Sequence, residues 1–140
     1  MSQEENIRLV QDAYAAFKRG DISALLNLLA EDVSWFVPGP HDLIPFLGQR
    51  RGRDQVKQFF SLLADSQDSE QFDPRQTIAQ GDQVVSLGHY RWRVKSTGRR
   101  FESDFAHVFT IRNGKVSDFH EYTDTHATVN AYSAGQAAGR

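Results

Sequence analysis

A change of period near residue 70 constrains this chain more than any other feature. Before it, apolar residues recur at helical steps. After it, β-branched and aromatic residues fall into four runs, 72–80, 84–96, 101–112 and 115–123, separated by Gly81-Asp82, Thr97-Gly98 and Asn113-Gly114. Asn-Gly and Gly-Asp between β runs are strong hairpin signals, because tight hairpin turns need residues that accept positive φ. The four runs predict an antiparallel meander. Helices first and strands later is the α+β pattern and argues against alternating βαβ units.

The helical half divides at Gly20. Over 5–19, Ile7, Val10, Tyr14 and Phe17 recur every three or four residues, with Leu9 and Ala13 widening the stripe, so an amphipathic helix is expected. Gly20 is a natural C-cap, and Asp21 can N-cap a second helix running through Leu25, Leu26, Leu28 and Leu29. Residues 32–37 read as a strand stopped by Pro38-Gly39-Pro40. The segment 41–53 has apolar groups without a period and is expected to be a loop, either a pocket wall or a flap on the core. Asp54 is positioned to cap a third helix bearing Val56, Phe59, Phe60 and Leu63 on one face. A last short helix over 126–132 precedes an Ala- and Gly-rich tail that is expected to fray after about residue 133.

With 140 residues, 39% of them hydrophobic, there is material for one core, and a single domain over 1–140 is expected. Sixteen basic residues against 18 acidic ones give a formal charge of −2, which supplies no basic field for a phosphate backbone, so a nucleic-acid partner is not expected. No apolar run reaches the roughly 18–20 residues that span a bilayer, and the N-terminus has no basic region followed by an apolar one, so a cytoplasmic protein with no membrane partner is expected. The absence of Cys removes disulfides, thiolate ligands and thiol nucleophiles. His41, His89, His107, His120 and His126 show no metal-binding spacing, and no phosphate- or dinucleotide-binding glycine loop occurs. No cofactor is expected.

Several motifs fall together: the Gly20-Asp21 corner, Trp35-Phe36-Val37-Pro38-Gly39, Gly52-Arg53-Asp54 opening a helix, Thr97-Gly98-Arg99, Asp104-Phe105-Ala106-His107-Val108-Phe109, Asn113-Gly114-Lys115-Val116 and Tyr122-Thr123-Asp124. In this order they resemble the SnoaL-like polyketide-cyclase family, of the superfamily typified by ketosteroid isomerase and nuclear transport factor 2. The resemblance implies a cone: three N-terminal helices packed on a strongly curved, mostly antiparallel sheet of four to six strands, enclosing a pocket for a small, largely apolar molecule. It also implies a homodimer through the outer face of the sheet. The fold hosts several chemistries, so the reaction has to be argued from residues.

The isomerase set is missing. Its carboxylate base would precede Pro38, where Val37 stands; its helix-one Tyr falls on Ala13; its oxyanion Asp falls on Ala106. True ketosteroid isomerase activity is therefore rejected. Epoxide hydrolysis in this superfamily uses a Tyr-x-Asp, matched by Tyr122-Thr123-Asp124, and an Arg-x-Asp, for which Tyr90-Arg91-Trp92-Arg93-Val94 offers no acid. A cyclase, isomerase or dehydratase reaction on a carbon acid needs only one pocket carboxylate, and the resemblance favours that reading. A non-catalytic binding or dimerisation module is the alternative, and an epoxide-hydrolase-like activity is a further one.

Asp124 is the first candidate base, with the competing reading that it caps the C-terminal helix. Asp104 and His107 are the other catalytic candidates. Strand alternation puts His107 with Phe105 and Phe109 and puts Asp104 with Ala106 and Val108, so one set alone can face the cone. The isomerase correspondence points Ala106's face inward, the size of Phe105, Phe109 and Ile111 points the other inward, and the choice stays open. Tyr14, Trp35, Phe60, Trp92 and Tyr122 are the ligand-binding candidates, with core packing the plainer account of Phe60. A buried strand Trp wants a partner for its indole N–H. Arg91, Arg93, Arg99 and Arg100 read as a solvated hairpin edge or as an anchor for a ligand carboxylate.

Overall fold

The computed structural model describes residues 2–133. Helix α1 (Gln3–Lys18) opens with a capping box in which the Ser2 hydroxyl accepts from Glu5 N–H and the Glu5 carboxylate accepts from Ser2 N–H. The chain turns at Gly20, φ +74°, into α2 (Ile22–Asn27), capped by the Asp21 carboxylate. This helix is shorter than its leucines suggest. Leu28 ends it, and Leu29 already belongs to strand β1 (Leu29–Val37), which starts three residues earlier than expected.

The segment 41–53 holds a strand, β2 (Gly48–Arg51), antiparallel to β1. Its apolar residues Ile44, Phe46 and Leu47 are buried, so the loop before β2 is a wall of the core. Helix α3 (Arg53–Ser66) begins after Gly52, whose φ of +86° a side chain would strain. Asp54 lies in its first turn and not at its cap, where its charge still complements the helix N-terminus. Four long strands follow: β3 (Gln67–Gln80), β4 (Gln83–Val94), β5 (Arg100–Arg112) and β6 (Lys115–Tyr122), then α4 (Thr125–Tyr132). The expected fraying tail lies outside the described residues.

The six strands form one sheet in the order β2-β1-β6-β5-β4-β3. All pairs are antiparallel except β1 with β6, where Trp35 lies beside Phe119 and Phe36 beside His120. Bulges at Ser69/Gln71 and Pro74/Gln76 bend the edge strand β3, and the helices cover the concave side. The strand faces are settled by burial. On β4 the even residues Val84, Ser86, Tyr90, Trp92 and Val94 are buried, and on β5 the odd ones Phe101, Phe105, His107, Phe109 and Ile111. The aromatic set therefore faces inward, and Ala106 faces out. Where size and the isomerase correspondence pulled apart, size decides, because five large side chains gain far more from leaving water than Ala106 and Val108 would.

Gly88 marks a close approach of β4 to β3 and to the Phe105 ring. A Cβ there would stand 2.5 Å from Asp73 O, 2.6 Å from Phe105 Cζ and 2.9 Å from Pro74 Cα. Backbone cannot give way as a flexible side chain can, so Gly88→Ala is expected to destabilise the domain by about 1–3 kcal/mol, the usual cost of overpacking. Thermal unfolding checks this: a melting temperature several degrees lower is expected, and an unchanged one would show that β3 has room to move.

Candidate functional site

The concave side holds a cavity of about 100 Å³, walled chiefly by aromatic rings. Tyr14 and Phe17 from α1, Trp35 from β1, Phe59 and Phe60 from α3 and Trp92 from β4 are among the rings of that wall. The rings pack edge to face or stacked, with Trp35 lying 4.1 Å from Phe119 and Phe59 at 5.0 Å from Phe60.

Into this apolar wall the sheet inserts a chain of polar groups. Tyr14 Oη lies 2.8 Å from His107 Nδ1, and His107 Nε2 lies 2.8 Å from Glu121 Oε2. The other carboxylate oxygen, Glu121 Oε1, accepts the Tyr90 hydroxyl at 3.3 Å, and Tyr90 Oη lies 2.6 Å from Thr123 Oγ1. His107 is 5% exposed, and the Glu121 side chain 12%, which makes this an ion pair or hydrogen-bonded pair shielded from water. Burial pushes the Tyr14 phenol above its ordinary value. Burial, and then the charge of Glu121, does the same at Tyr90. Both phenols therefore stay protonated and keep an O–H to donate.

The geometry divides the roles. Both ring nitrogens of His107 are engaged, one by Tyr14 and one by Glu121. A neutral imidazole donates Nε2–H to Glu121 and accepts the Tyr14 O–H at Nδ1; a protonated one donates from both, with the Tyr14 oxygen accepting. Glu121 Oε1 has only one long hydrogen bond, so it is the oxygen with lone-pair capacity to spare.

Of the sequence candidates, the structure brings Tyr14, Trp35, Phe60, Trp92 and His107 together around the cavity. Asp104 is elsewhere. Its side chain is 87% exposed on the opposite face of β5 and holds His89 Nδ1 at 2.8 Å, with Glu102 on the other ring nitrogen at 2.8 Å. Those two hydrogen bonds, Asp104's first, raise the His89 imidazole above its ordinary value. Asp124 N-caps α4, its Oδ1 accepting from Ala127 N–H at 3.1 Å, and it is not among the residues of the cavity wall. Tyr122 is 54% exposed on the outer face, stacked on His120. Arg91 and Arg100 pair with Glu70, and Arg93 with Asp68, along the β3–β4–β5 edge, away from the cavity. Sequence reasoning missed Glu121 and Tyr90. Tyr90 is signalled by its shared parity with Trp92, but Glu121 carries no signal in the sequence pattern. Among the described residues no group of three or more His, Cys, Asp or Glu side chains is arranged to hold a metal ion, and no helix is long and apolar enough to cross a membrane.

If the Asp124 carboxylate acts as a cap, Asn should replace it with little loss, whereas Asp124→Ala should cost roughly 1 kcal/mol of stability. Chemical denaturation of the two variants checks this. Equal stability of wild type and Asp124→Ala would show that the cap contributes nothing.

Comparison with known proteins agrees with this architecture. A family model for the SnoaL-like domain matches residues 10–119. An uncharacterised protein of Mycobacterium tuberculosis is 30% identical over 134 residues, covering 95% of this chain and 100% of that protein. The crystal structure of an NTF2-like protein from Burkholderia xenovorans superposes with a TM-score of 0.86 at 36% identity, covering 94% of this chain and 98% of the other. The structure of TerC crystallised with polyporic acid superposes with a TM-score of 0.79 at 27% identity, covering 91% of this chain and 98% of that one. The cone, the motif order and these matches together show that the chain belongs to the SnoaL-like domain family.

Proposed function

We propose that the protein is a cofactor-free acid–base catalyst acting on a small, flat, largely apolar carbon acid, with Glu121 as the general base. The observation that carries this reading is a hydrogen-bonded carboxylate and imidazole at the wall of an aromatic cavity. A carboxylate in such surroundings has little water to satisfy it, and a proton on a ligand carbon or hydroxyl is the group it can still engage. His107, fixed by Tyr14, would orient Glu121 and balance its charge; Tyr90 would hold the second oxygen. The flat aromatic walls favour a flat ligand, and the presence of polyporic acid in the TerC crystal is in keeping with that shape. Cyclase, isomerase and dehydratase reactions all begin with such a proton transfer, and the same cavity without turnover would make the protein a binding module.

Deuterium exchange separates the two. The benzylic CH₂ of phenylacetone, followed by NMR in heavy water, should exchange faster with the protein present. Glu121→Gln keeps the side chain's shape and one acceptor oxygen and removes the basic carboxylate, so the catalysed rate should fall about 10²–10⁴-fold, the usual worth of a positioned base. A wild-type protein that binds phenylacetone without accelerating exchange would favour the binding module.

We also propose that the outer sheet face pairs with a second copy of the chain. Supporting this, Val85 and Val108, and Leu87 and Ala106, sit side by side across β4 and β5, only half-buried, on the face opposite the cavity. Such apolar cross-strand pairs are poorly placed against water. Sedimentation at micromolar concentration should give a dimer that Val108→Glu dissociates; a wild-type monomer would overturn the assembly. A chain free of Cys fits a reducing, cytoplasmic compartment.

A further inference from the structure

Most of the polar side chains on the cavity wall belong to the Glu121 network, but Gln67 stands apart from it. Gln67 is the first residue of β3, directly after α3, and lies opposite Val94 in the β3–β4 ladder. Directly opposed residues share a face of the sheet. Val94 is fully buried on the inner face, so Gln67, itself 5% exposed, is turned inward as well, and it is one of the residues that line the cavity.

The two ends of the Gln67 amide are treated differently. Its oxygen accepts the hydroxyl of Tyr132 from α4. Burial pushes the Tyr132 phenol above its ordinary value, so the O–H needed for that bond is retained. The amide nitrogen carries two N–H donors, and among the described residues neither has an acceptor. Nor is this nitrogen sealed in protein. Trp35 Nε1 lacks both a partner and accessible surface, whereas the Gln67 nitrogen retains surface, and the cavity is the space that its side chain borders. An amide donor facing apolar walls is poorly satisfied until an acceptor arrives.

The surroundings define that acceptor. Among the described residues no Lys or Arg lines the cavity, and the Glu121 carboxylate does, so an anionic ligand would meet a like charge with no counter-charge. A ligand hydroxyl would bring an O–H in need of an acceptor, and the Gln67 oxygen is already engaged by Tyr132. A carbonyl oxygen brings lone pairs and no donor. We propose that the Gln67 amide nitrogen anchors a carbonyl oxygen of the ligand, which makes that ligand a neutral aryl ketone. The inference rests on the reading of the cavity as a ligand site and adds the substrate's chemical class to it. Val94, opposite Gln67, stands four residues along β4 from Tyr90, which holds Glu121, a separation of about 13 Å at strand spacing. The anchored carbonyl thus marks the end of the ligand away from the proton that Glu121 takes.

The test uses 1-indanone and indane, one ring frame with and without a carbonyl, in NMR titrations of the ¹⁵N-labelled full chain. The two compounds differ in their transfer from water, so the readout is their affinity ratio in wild type against the same ratio in Gln67→Met, in which that difference cancels. Gln67→Met keeps the length of the side chain and loses the amide. The preference for 1-indanone should fall about three- to tenfold, the worth of one neutral hydrogen bond. In wild type, 1-indanone should also shift the Gln67 side-chain NH₂ signals, which indane should leave nearly unmoved. Gln67→Met breaks the Tyr132 bond too; Tyr132→Phe breaks the same bond but keeps the amide, and should lower the ratio less. Should Gln67→Met fail to fold, the wild-type NH₂ signals decide alone. An unchanged ratio in Gln67→Met, an equal fall in Tyr132→Phe, or NH₂ signals that 1-indanone leaves unmoved overturns the carbonyl anchor and leaves the cavity reading standing. If neither compound binds wild type, the cavity reading fails and the anchor falls with it.

Discussion

Between the pairs Ile111 with Val116 and Thr110 with Asp118, the ladder joining β5 and β6 skips one residue, Ser117. Because side chains alternate along a strand, one extra residue exchanges the faces of everything beyond it. An unbroken ladder from the Asn113-Gly114 turn would set Glu121 opposite Ala106 and turn it outward. With Ser117 bulged, Glu121 stands opposite His107 and turns inward. The bulge is held by the Ser117 hydroxyl, which donates to Thr110 O at 3.2 Å. Val116 and Phe119 are consequently both buried although three positions apart. The parallel partner β1 inherits the corrected register, which sets Trp35 against Phe119.

Placing a carboxylate inside an aromatic cone is costly unless its oxygens are occupied. Here the occupants come from three strands and a helix: Tyr90 from β4, His107 from β5, Glu121 itself from β6, and Tyr14 from α1 behind the imidazole. No two adjacent residues could have made this arrangement. It exists because the β5–β6 register sets Glu121 directly opposite His107 and turns both to the face that also carries Tyr90 on β4.

Fold class, element order and most strand limits follow from local signals that the chain displays openly: the helical stripe ending at Gly20, the Asn113-Gly114 turn, the Pro38-Gly39-Pro40 stop. For β5 the bulk of Phe105, Phe109 and Ile111 carries the right signal, but the isomerase correspondence pulls the other way, so its parity stays open until burial decides it. What could not be read were features that have no local cause. Leu28 and Leu29 continue a leucine run, yet Leu29 is claimed by a strand 87 positions away, at Val116. The four residues of β2 read as loop because their strand character comes only from pairing with β1. Glu121 was hidden for a related reason: its inward orientation depends on the bulge, and Ser117 looks like any other strand residue. Asp124 drew attention as the acid beside the last strand, and the helix that follows engages its carboxylate.

The single parallel pair carries a temporal consequence. Strand β1 is complete once the first 37 residues have been made, but the strand it joins lies at Lys115–Tyr122. During synthesis Val33, Trp35 and Val37 must wait, apolar and unpaired except along the short β2 edge, until most of the chain has emerged. The hairpins of β3 to β6 close locally and quickly, while the β1–β6 seam requires one long loop closure. The wall of the cavity that contains Trp35 thus depends on the longest loop closure, and a ribosome that pauses before β6 holds a chain whose cavity has only one side.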